Sequence, residues 1–98
     1  MTKEEILKFL EEKKAEFKKK YHIKEIGLYG SYSRNEQNEH SDIDIVYVLD
    51  DGEKFGYFEF LELEEILSQQ FNKNVELVNY QYMNPIIKYN AKKEIIYV

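Results

Sequence analysis

The chain contains no cysteine, a single proline and no long apolar run. Without cysteine, a disulfide framework, a thiolate metal site and a cysteine nucleophile are all excluded. The longest apolar run, Ile45–Leu49, is far shorter than the roughly 20 residues that cross a bilayer. The acidic N-terminus also differs from the basic start of a signal peptide. We therefore expect a cytoplasmic protein that does not associate with membranes.

Positive charge is also scarce. The chain has 14 Lys and Arg residues but 19 Asp and Glu residues, and its net charge is −5. Proteins that bind a nucleic-acid backbone need a basic surface, so direct binding of DNA or RNA is not expected. The acids are concentrated between Glu36 and Glu65, where Lys54 is the one base. This acidic tract is compatible with a solvated face, a cation site or a docking surface for a basic partner.

With 98 residues, the chain is expected to form one domain over residues 1–98. Thr2 and Glu5 predict a capping box, after which apolar residues recur at near-helical spacing. Residues 42–49 have apolar side chains on both faces, which predicts a central strand. The pattern predicts an α/β (α+β) fold with a small mixed sheet of about four strands and helices packed against it. The predicted helices are 3–20, 57–71 and 85–92, and the predicted strands are 23–30, 42–49, 75–80 and 94–98.

Two acids, Asp42 and Asp44, interrupt the start of the otherwise apolar central strand. Side chains alternate along a strand, so both carboxylates point to the same face. Their repulsion raises a carboxylate pKa unless a cation or hydrogen-bond donors neutralise it. Carboxylate oxygens of this kind suit Mg²⁺, which also keeps water and phosphate ligands. Taken alone, the pair is better explained as two acids at a solvent-exposed strand end, because such tripeptides are common.

A second polar feature, Gly30-Ser31, follows the first predicted strand. Glycine allows the backbone to approach a ligand closely, and amides at the start of a helical turn point towards an anion. The single arginine, Arg34, lies three residues further on, where its forked guanidinium could contact phosphate oxygens. A phosphate-binding turn and a carboxylate pair are the two halves of a nucleoside-triphosphate site.

These residues carry a resemblance to the minimal nucleotidyltransferase branch of the DNA polymerase beta-like nucleotidyltransferase superfamily. The similarity lies in Leu28–Arg34 and Ser41–Val46, and it continues through Asn74–Val78 and Ile86–Val98, so that it spans nearly the whole chain. The resemblance implies that Gly30 and Ser31 hold the triphosphate of ATP.

The same resemblance implies a metal site of three carboxylates. It assigns Asp42 and Asp44 to Mg²⁺, with Mn²⁺ as an alternative. It also places Glu76 where the family usually has Asp, as a metal ligand and as the base that deprotonates the acceptor hydroxyl. Tyr32 and Asn35 depart from the Arg and Gly that are common in the family's motif. Tyr32 is therefore expected to lose a phosphate contact, and Asn35 to reduce backbone freedom.

The function implied by the resemblance is that of an antitoxin, which transfers AMP from ATP to a tyrosine hydroxyl of a HEPN-type ribonuclease toxin. An alternative is a catalytically degenerate relative that silences its partner by binding alone. Transfer to a small molecule is less favoured because relatives of that kind generally carry an added domain. No EF-hand loop is present, and His22 and His40 lack a second ligand at suitable spacing for a metal site.

Overall fold

A computed structural model describes all of residues 1–98 and contains three α-helices and one four-stranded mixed sheet. A single 3₁₀ turn, Tyr80–Tyr82, follows the third strand. The predicted fold class is confirmed. The helices are α1 (Lys3–Tyr21), α2 (Tyr57–Phe71) and α3 (Pro85–Ala91), and the strands are β1 (Ile23–Tyr29), β2 (Ile43–Leu49), β3 (Val75–Asn79) and β4 (Ile96–Tyr97).

The first helix begins at the predicted capping box. The Glu5 N–H donates to the Thr2 hydroxyl at 3.2 Å, and the Thr2 N–H donates to the Glu5 carboxylate at 3.0 Å. This reciprocal pair satisfies two of the amides that a helix start leaves free. The helix ends at His22, which has a left-handed backbone (φ 59°) and reverses the chain into β1.

The strands lie in the order β3-β2-β1-β4, so β2 is central as predicted. It pairs with β1 in an antiparallel register and with β3 in a parallel one. The short edge strand β4 pairs antiparallel with β1. Parallel pairing of β2 and β3 requires a crossover, and α2 provides it. The crossover brings the beginnings of β2 and β3 to the same end of the sheet.

The main core lies between the sheet and the helices α1 and α2. The two helices meet where the rings of Phe9 and Phe71 pack edge to face, with centroids 5.3 Å apart. Alternate residues of β2, Ile43 and Ile45 among them, enter this core. Val46 points to the opposite face, where it is also fully buried. No helix in the structure is both long and apolar enough to cross a membrane.

All four strands are shorter than predicted. β1 ends at Tyr29 and β2 begins at Ile43, each one residue inside the predicted bound. β3 ends at Asn79 because the Asn79 side chain accepts a hydrogen bond from the Gln81 N–H at 2.9 Å and starts the 3₁₀ turn. β4 is shorter than predicted because the amides of Glu94 and Ile95 still bond the Ala91 carbonyl. The chain therefore becomes extended only at Ile96.

Candidate active site

The structure brings Asp44 and Glu76 side by side. In the parallel register of β2 and β3, Asp44 is the direct partner of Glu76. Neighbouring strands are about 4.8 Å apart, and side chains of paired residues point to the same face. Asp42 precedes β2 on the same face and is exposed. Two of the three predicted carboxylates are thus paired by backbone geometry, and the third lies at the solvent edge.

The pKa of Asp44 reflects its burial beside a second carboxylate. The pKa of Asp44 is raised to about 7, chiefly by burial and then by hydrogen bonding with Glu76 and by the charges of Glu76 and Asp42. The positive charge of Arg34 opposes the rise. Asp44 therefore holds a proton at a higher pH than an ordinary aspartate does.

The three carboxylates do not form a compact metal cage in this arrangement. No group of three or more His, Cys, Asp or Glu side chains lies close enough together to hold a metal ion. The oxygen donors of Asp44 and Glu76 are nevertheless the type that Mg²⁺ prefers, and this ion normally takes only one or two carboxylates alongside water and substrate phosphates. The donor chemistry therefore fits a divalent cation that is shared with a bound nucleotide.

Gly30 forms the turn that covers Asp44. Its φ is +80°, which lies in the left-handed region that favours glycine. A Cβ at this position would overlap the Asp44 carboxylate. Both the Ser33 N–H (3.1 Å) and the Arg34 N–H (3.3 Å) donate to the Gly30 carbonyl. The buried Ser33 hydroxyl donates to the same carbonyl at 2.7 Å.

The next two residues of this turn have free donors. The Ser31 and Tyr32 N–H groups make no hydrogen bond within the protein, whereas the later amides of the turn bond back to carbonyls. The Ser31 hydroxyl is also unbonded, and the residue is half-buried. Successive free amides beside a glycine form an anion-binding concavity. The structure thus brings the predicted phosphate-binding turn against one of the predicted metal ligands.

Arg34 lies at the edge of the same site but is already paired. Its Nη1 donates to Glu94 Oε2 at 2.8 Å, and its Nε lies 3.4 Å from Glu36 Oε1. A guanidinium has five N–H donors, so these two contacts leave three of them free. Arg34 is therefore able to contact a phosphate without giving up either carboxylate.

Two residues of the site were missed by the sequence analysis. Tyr29 is the β1 partner of Asp44, and its pKa is raised by burial and then by the charges of Asp44, Glu76 and Glu94. Glu94, which is distant in sequence, contacts Arg34. Tyr29 could have been noticed from its position directly before Gly30. Nothing in the local sequence indicates the placement of Glu94.

The two departures from the family motif have simple structural explanations. Tyr32 is 2% exposed and belongs to the main core, so its side chain contributes packing and does not face the phosphate site. Asn35 has φ 57°, and Asn adopts this left-handed backbone more readily than other non-glycine residues. The turn therefore keeps its shape without the usual Arg and Gly.

A lysine fixes the segment that leads into the carboxylates. The Lys73 ammonium donates to the carbonyls of Glu39 (2.9 Å) and Ser41 (3.3 Å). The Ile43 N–H donates to the Asn74 carbonyl at 3.0 Å. These contacts join the approach to β2 with the approach to β3. Both histidines are exposed and take no part in the site.

Comparison with known proteins identifies the family of the chain. A family model described as a nucleotidyltransferase domain matches residues 5–98. The chain belongs to this nucleotidyltransferase family. It is similar to protein adenylyltransferase MntA of Thermococcus cleftensis, with 36% identity over 98 residues that cover 100% of this chain and 97% of the relative. MJ1379 of Methanocaldococcus jannaschii, whose adenylyltransferase designation is provisional, is 39% identical over 98 residues, covering 99% and 98% of the two chains.

Solved structures share the fold at lower sequence identity. A protein provisionally described as a minimal nucleotidyltransferase has a TM-score of 0.77 and 21% identity, covering 98% of this chain and 95% of its own. A toxin–antitoxin structure with AMP-PNP has a TM-score of 0.71 and 22% identity, covering 99% and 72%. A complex of a tri-AMPylated Shewanella oneidensis HEPN toxin with an MNT antitoxin has a TM-score of 0.62 and 20% identity, covering 97% and 66%.

Proposed function

We propose that this nucleotidyltransferase transfers AMP from ATP to a tyrosine hydroxyl of a HEPN-type ribonuclease toxin and so acts as its antitoxin. The observation that carries the proposal is the register of β2 and β3, which places Glu76 directly beside Asp44 under the Gly30 turn. In-line transfer of a nucleotidyl group uses metal-binding carboxylates and donors that hold the phosphates, and this arrangement could supply both.

ATP is the proposed donor. Its phosphates would accept hydrogen bonds from the free N–H groups of Ser31 and Tyr32, and from the Ser31 hydroxyl. Arg34 would contact the phosphates with its remaining N–H donors. Two comparisons support this choice of nucleotide. The Thermococcus relative is named a protein adenylyltransferase, and one structural neighbour contains AMP-PNP.

The chemistry follows from the positions of the carboxylates. The acceptor tyrosyl oxygen forms a bond to the α-phosphorus, the bond to the pyrophosphate bridging oxygen breaks, and pyrophosphate leaves. The proton of the hydroxyl passes to a carboxylate, for which we propose Glu76 because it is exposed and can reach a bound acceptor. Mg²⁺ held by Asp42, Asp44 and Glu76 would stabilise negative charge on the phosphates. Asp42 has to turn inwards from its exposed position to join this set.

A basic protein partner fits the surface charge. The acidic tract from Glu36 to Glu65 includes the approach to β2 and most of α2. A toxin that cleaves RNA needs positive charge to bind phosphates, so complementary charge would speed its association with this chain. The Shewanella neighbour, in which an MNT antitoxin is bound to an AMPylated HEPN toxin, supports this class of partner.

The direct experiment incubates the purified chain with a HEPN-type toxin, ATP and Mg²⁺, followed by intact-mass and peptide mass spectrometry of the toxin. The proposal predicts an added AMP on a toxin tyrosine and loss of ribonuclease activity. Omitting Mg²⁺ or replacing ATP with AMP provides the control. AMP on a residue other than tyrosine would contradict the proposed acceptor.

One observation favours a second function, silencing of the partner by binding alone. The three carboxylates are not close enough to form a metal group, as expected of an enzyme that has lost its chemistry. In that case the toxin would be inhibited in the stable complex but would recover its activity after separation, with no change in mass. An AMPylated toxin stays inactive after separation, so the two functions are distinguishable.

A further inference from the structure

The guanidinium of Arg34 is held by a carboxylate that is remote in sequence. Glu94 lies in the turn between α3 and β4, 60 residues after Arg34. Its Oε2 accepts a hydrogen bond from Arg34 Nη1 at 2.8 Å, and both side chains are about one-third exposed, at 34% for Glu94 and 39% for Arg34. A charge-assisted bond of this length in a partly desolvated setting is stronger than an open surface pair.

Glu94 also faces the reaction site. Its charge acts on the phenol of Tyr29, as do the charges of Asp44 and Glu76. The charge of Arg34 in turn acts on Asp44. Glu94 and Arg34 therefore lie at the edge of the carboxylate pair, on the side formed by the Gly30 turn. Their contact joins the phosphate-binding turn to the C-terminal segment of the chain.

We infer that Glu94 is a positioning residue, which holds the Arg34 guanidinium in place for the phosphates of the nucleotide. The inference rests on the proposed function of Arg34. A free arginine side chain loses much of its rotational freedom when it binds a ligand, and a side chain that is already fixed loses less. The contacts with Glu94 and Glu36 leave three of the five N–H donors free for phosphate oxygens.

Glu36 provides a matched control because it contacts the same guanidinium in a weaker way. Its carboxylate lies 3.4 Å from Arg34 Nε, and its side chain is 65% exposed. Glu36 belongs to the same turn as Arg34, so it cannot join the turn to another part of the protein. An exposed contact of this kind contributes little. Glu94→Gln and Glu36→Gln remove the same charge from the same guanidinium and differ in geometry.

The experiment measures the Kd of Mg-ATP by calorimetry for the unmodified chain, Glu94→Gln, Glu36→Gln, Arg34→Gln and the double variant Arg34→Gln/Glu94→Gln. We expect Glu94→Gln to raise Kd by roughly twofold to tenfold, the scale of immobilising one long side chain. Glu36→Gln should leave Kd within about twofold. In the Arg34→Gln background, Glu94→Gln should have no further effect, since Glu94 acts through Arg34.

Thermal unfolding without nucleotide separates positioning from a purely structural role. A lower Tm for Glu94→Gln with an unchanged Kd would overturn the inference, and so would tighter binding, which would make Glu94 a competitor of the phosphates. An additive effect in the double variant would also overturn it. If the unmodified chain bound no ATP, both the inference and the proposed function would be wrong. An effect of Arg34→Gln without an effect of Glu94→Gln would reject the inference alone.

Discussion

Gly30 and Asp44 are in contact across the β1–β2 pair, and a Cβ at residue 30 would displace the Asp44 carboxylate. The left-handed backbone of Gly30 starts the turn with the free amides of Ser31 and Tyr32. The same residue therefore defines the phosphate-binding turn and the wall of the carboxylate site. A shift of the Gly30 turn is therefore expected to move the Asp44 carboxylate as well.

A substitution at Gly30 should be more harmful than its backbone strain alone explains. Gly52 is the matched control, since its φ is +79° and a Cβ there meets nothing within 4 Å. Gly52→Ala should lower the free energy of unfolding by about 1–2 kcal/mol, the penalty of a left-handed backbone. Gly30→Ala should lower the free energy of unfolding by more than Gly52→Ala does. It should also abolish the ATP-induced rise in Tm. Equal destabilisation of the two variants in urea unfolding would show that the Asp44 contact is unimportant.

The raised pKa of Asp44 predicts an unusual pH dependence of stability. Its pKa is about 7 in the folded chain against 3.8 for an ordinary aspartate. Between these values the folded state holds more protons, so this group reduces the free energy of unfolding as pH rises from about 4 to 7. Asp44→Asn should therefore stabilise the chain at pH 8 and have little effect near pH 4.

Urea unfolding at the two pH values checks this prediction. Asp51→Asn is the control, because Asp51 is an exposed carboxylate in the turn after β2 and forms no ion pair. This variant should follow the unmodified chain at both pH values. A loss of stability in Asp44→Asn at pH 8 would mean that Asp44 is favourably neutralised in the fold.

Substitution of the two serines in the Gly30 turn should affect different properties, ATP binding for Ser31 and stability for Ser33. The Ser31 hydroxyl is unbonded, whereas the buried Ser33 hydroxyl donates to the Gly30 carbonyl at 2.7 Å. Ser31→Ala should leave Tm unchanged and weaken ATP binding while residual activity remains, because the backbone amides are retained. Ser33→Ala should lower the free energy of unfolding by about 1 kcal/mol. Measurements of Tm and of the Kd for ATP on both variants test these separate roles. Normal ATP binding by Ser31→Ala would contradict the role of Ser31 in binding.

The position of Tyr32 in the core predicts that restoring the family's arginine would be harmful. Tyr32 is 2% exposed, and Tyr32→Arg would place a charge without a partner among apolar side chains. We expect a loss of about 2 kcal/mol or more. Tyr32→Phe keeps the ring and should remain within about 1 kcal/mol of the unmodified chain. A stable Tyr32→Arg variant with tighter ATP binding would show that this side chain can reach the phosphates.

Much of this architecture was predictable because its signals are local. The Thr2–Glu5 capping box, the helical spacing in α2 and the apolar central strand each occupy a few consecutive residues. The three-carboxylate site implied by the family resemblance also requires Glu76 to lie on the face of Asp44, and the register of β2 and β3 pairs these two residues. The 3₁₀ turn after Asn79 was missed because the Asn79 side chain, and not a change in apolar pattern, ends the strand.

Other features of the site depend on contacts between distant residues. The strand order β3-β2-β1-β4 is not specified by the spacing of apolar residues. The pairing of Arg34 with Glu94 joins two polar segments that have no common motif. The loss of a phosphate contact at Tyr32 was expected, but its burial in the core was not, because its neighbours in the sequence are polar.

The most direct test of the central claim, that the chain is an enzyme with Glu76 in its site, is the rate of AMP transfer to the toxin by Glu76→Gln. Glu25→Gln is the control, since Glu25 is an exposed strand glutamate on β1 outside the site. The account predicts that Glu76→Gln binds the toxin normally and transfers AMP roughly a hundredfold more slowly, while Glu25→Gln is fully active. Transfer at an unchanged rate by Glu76→Gln, or silencing of the toxin by the unmodified chain with no added AMP, would contradict it.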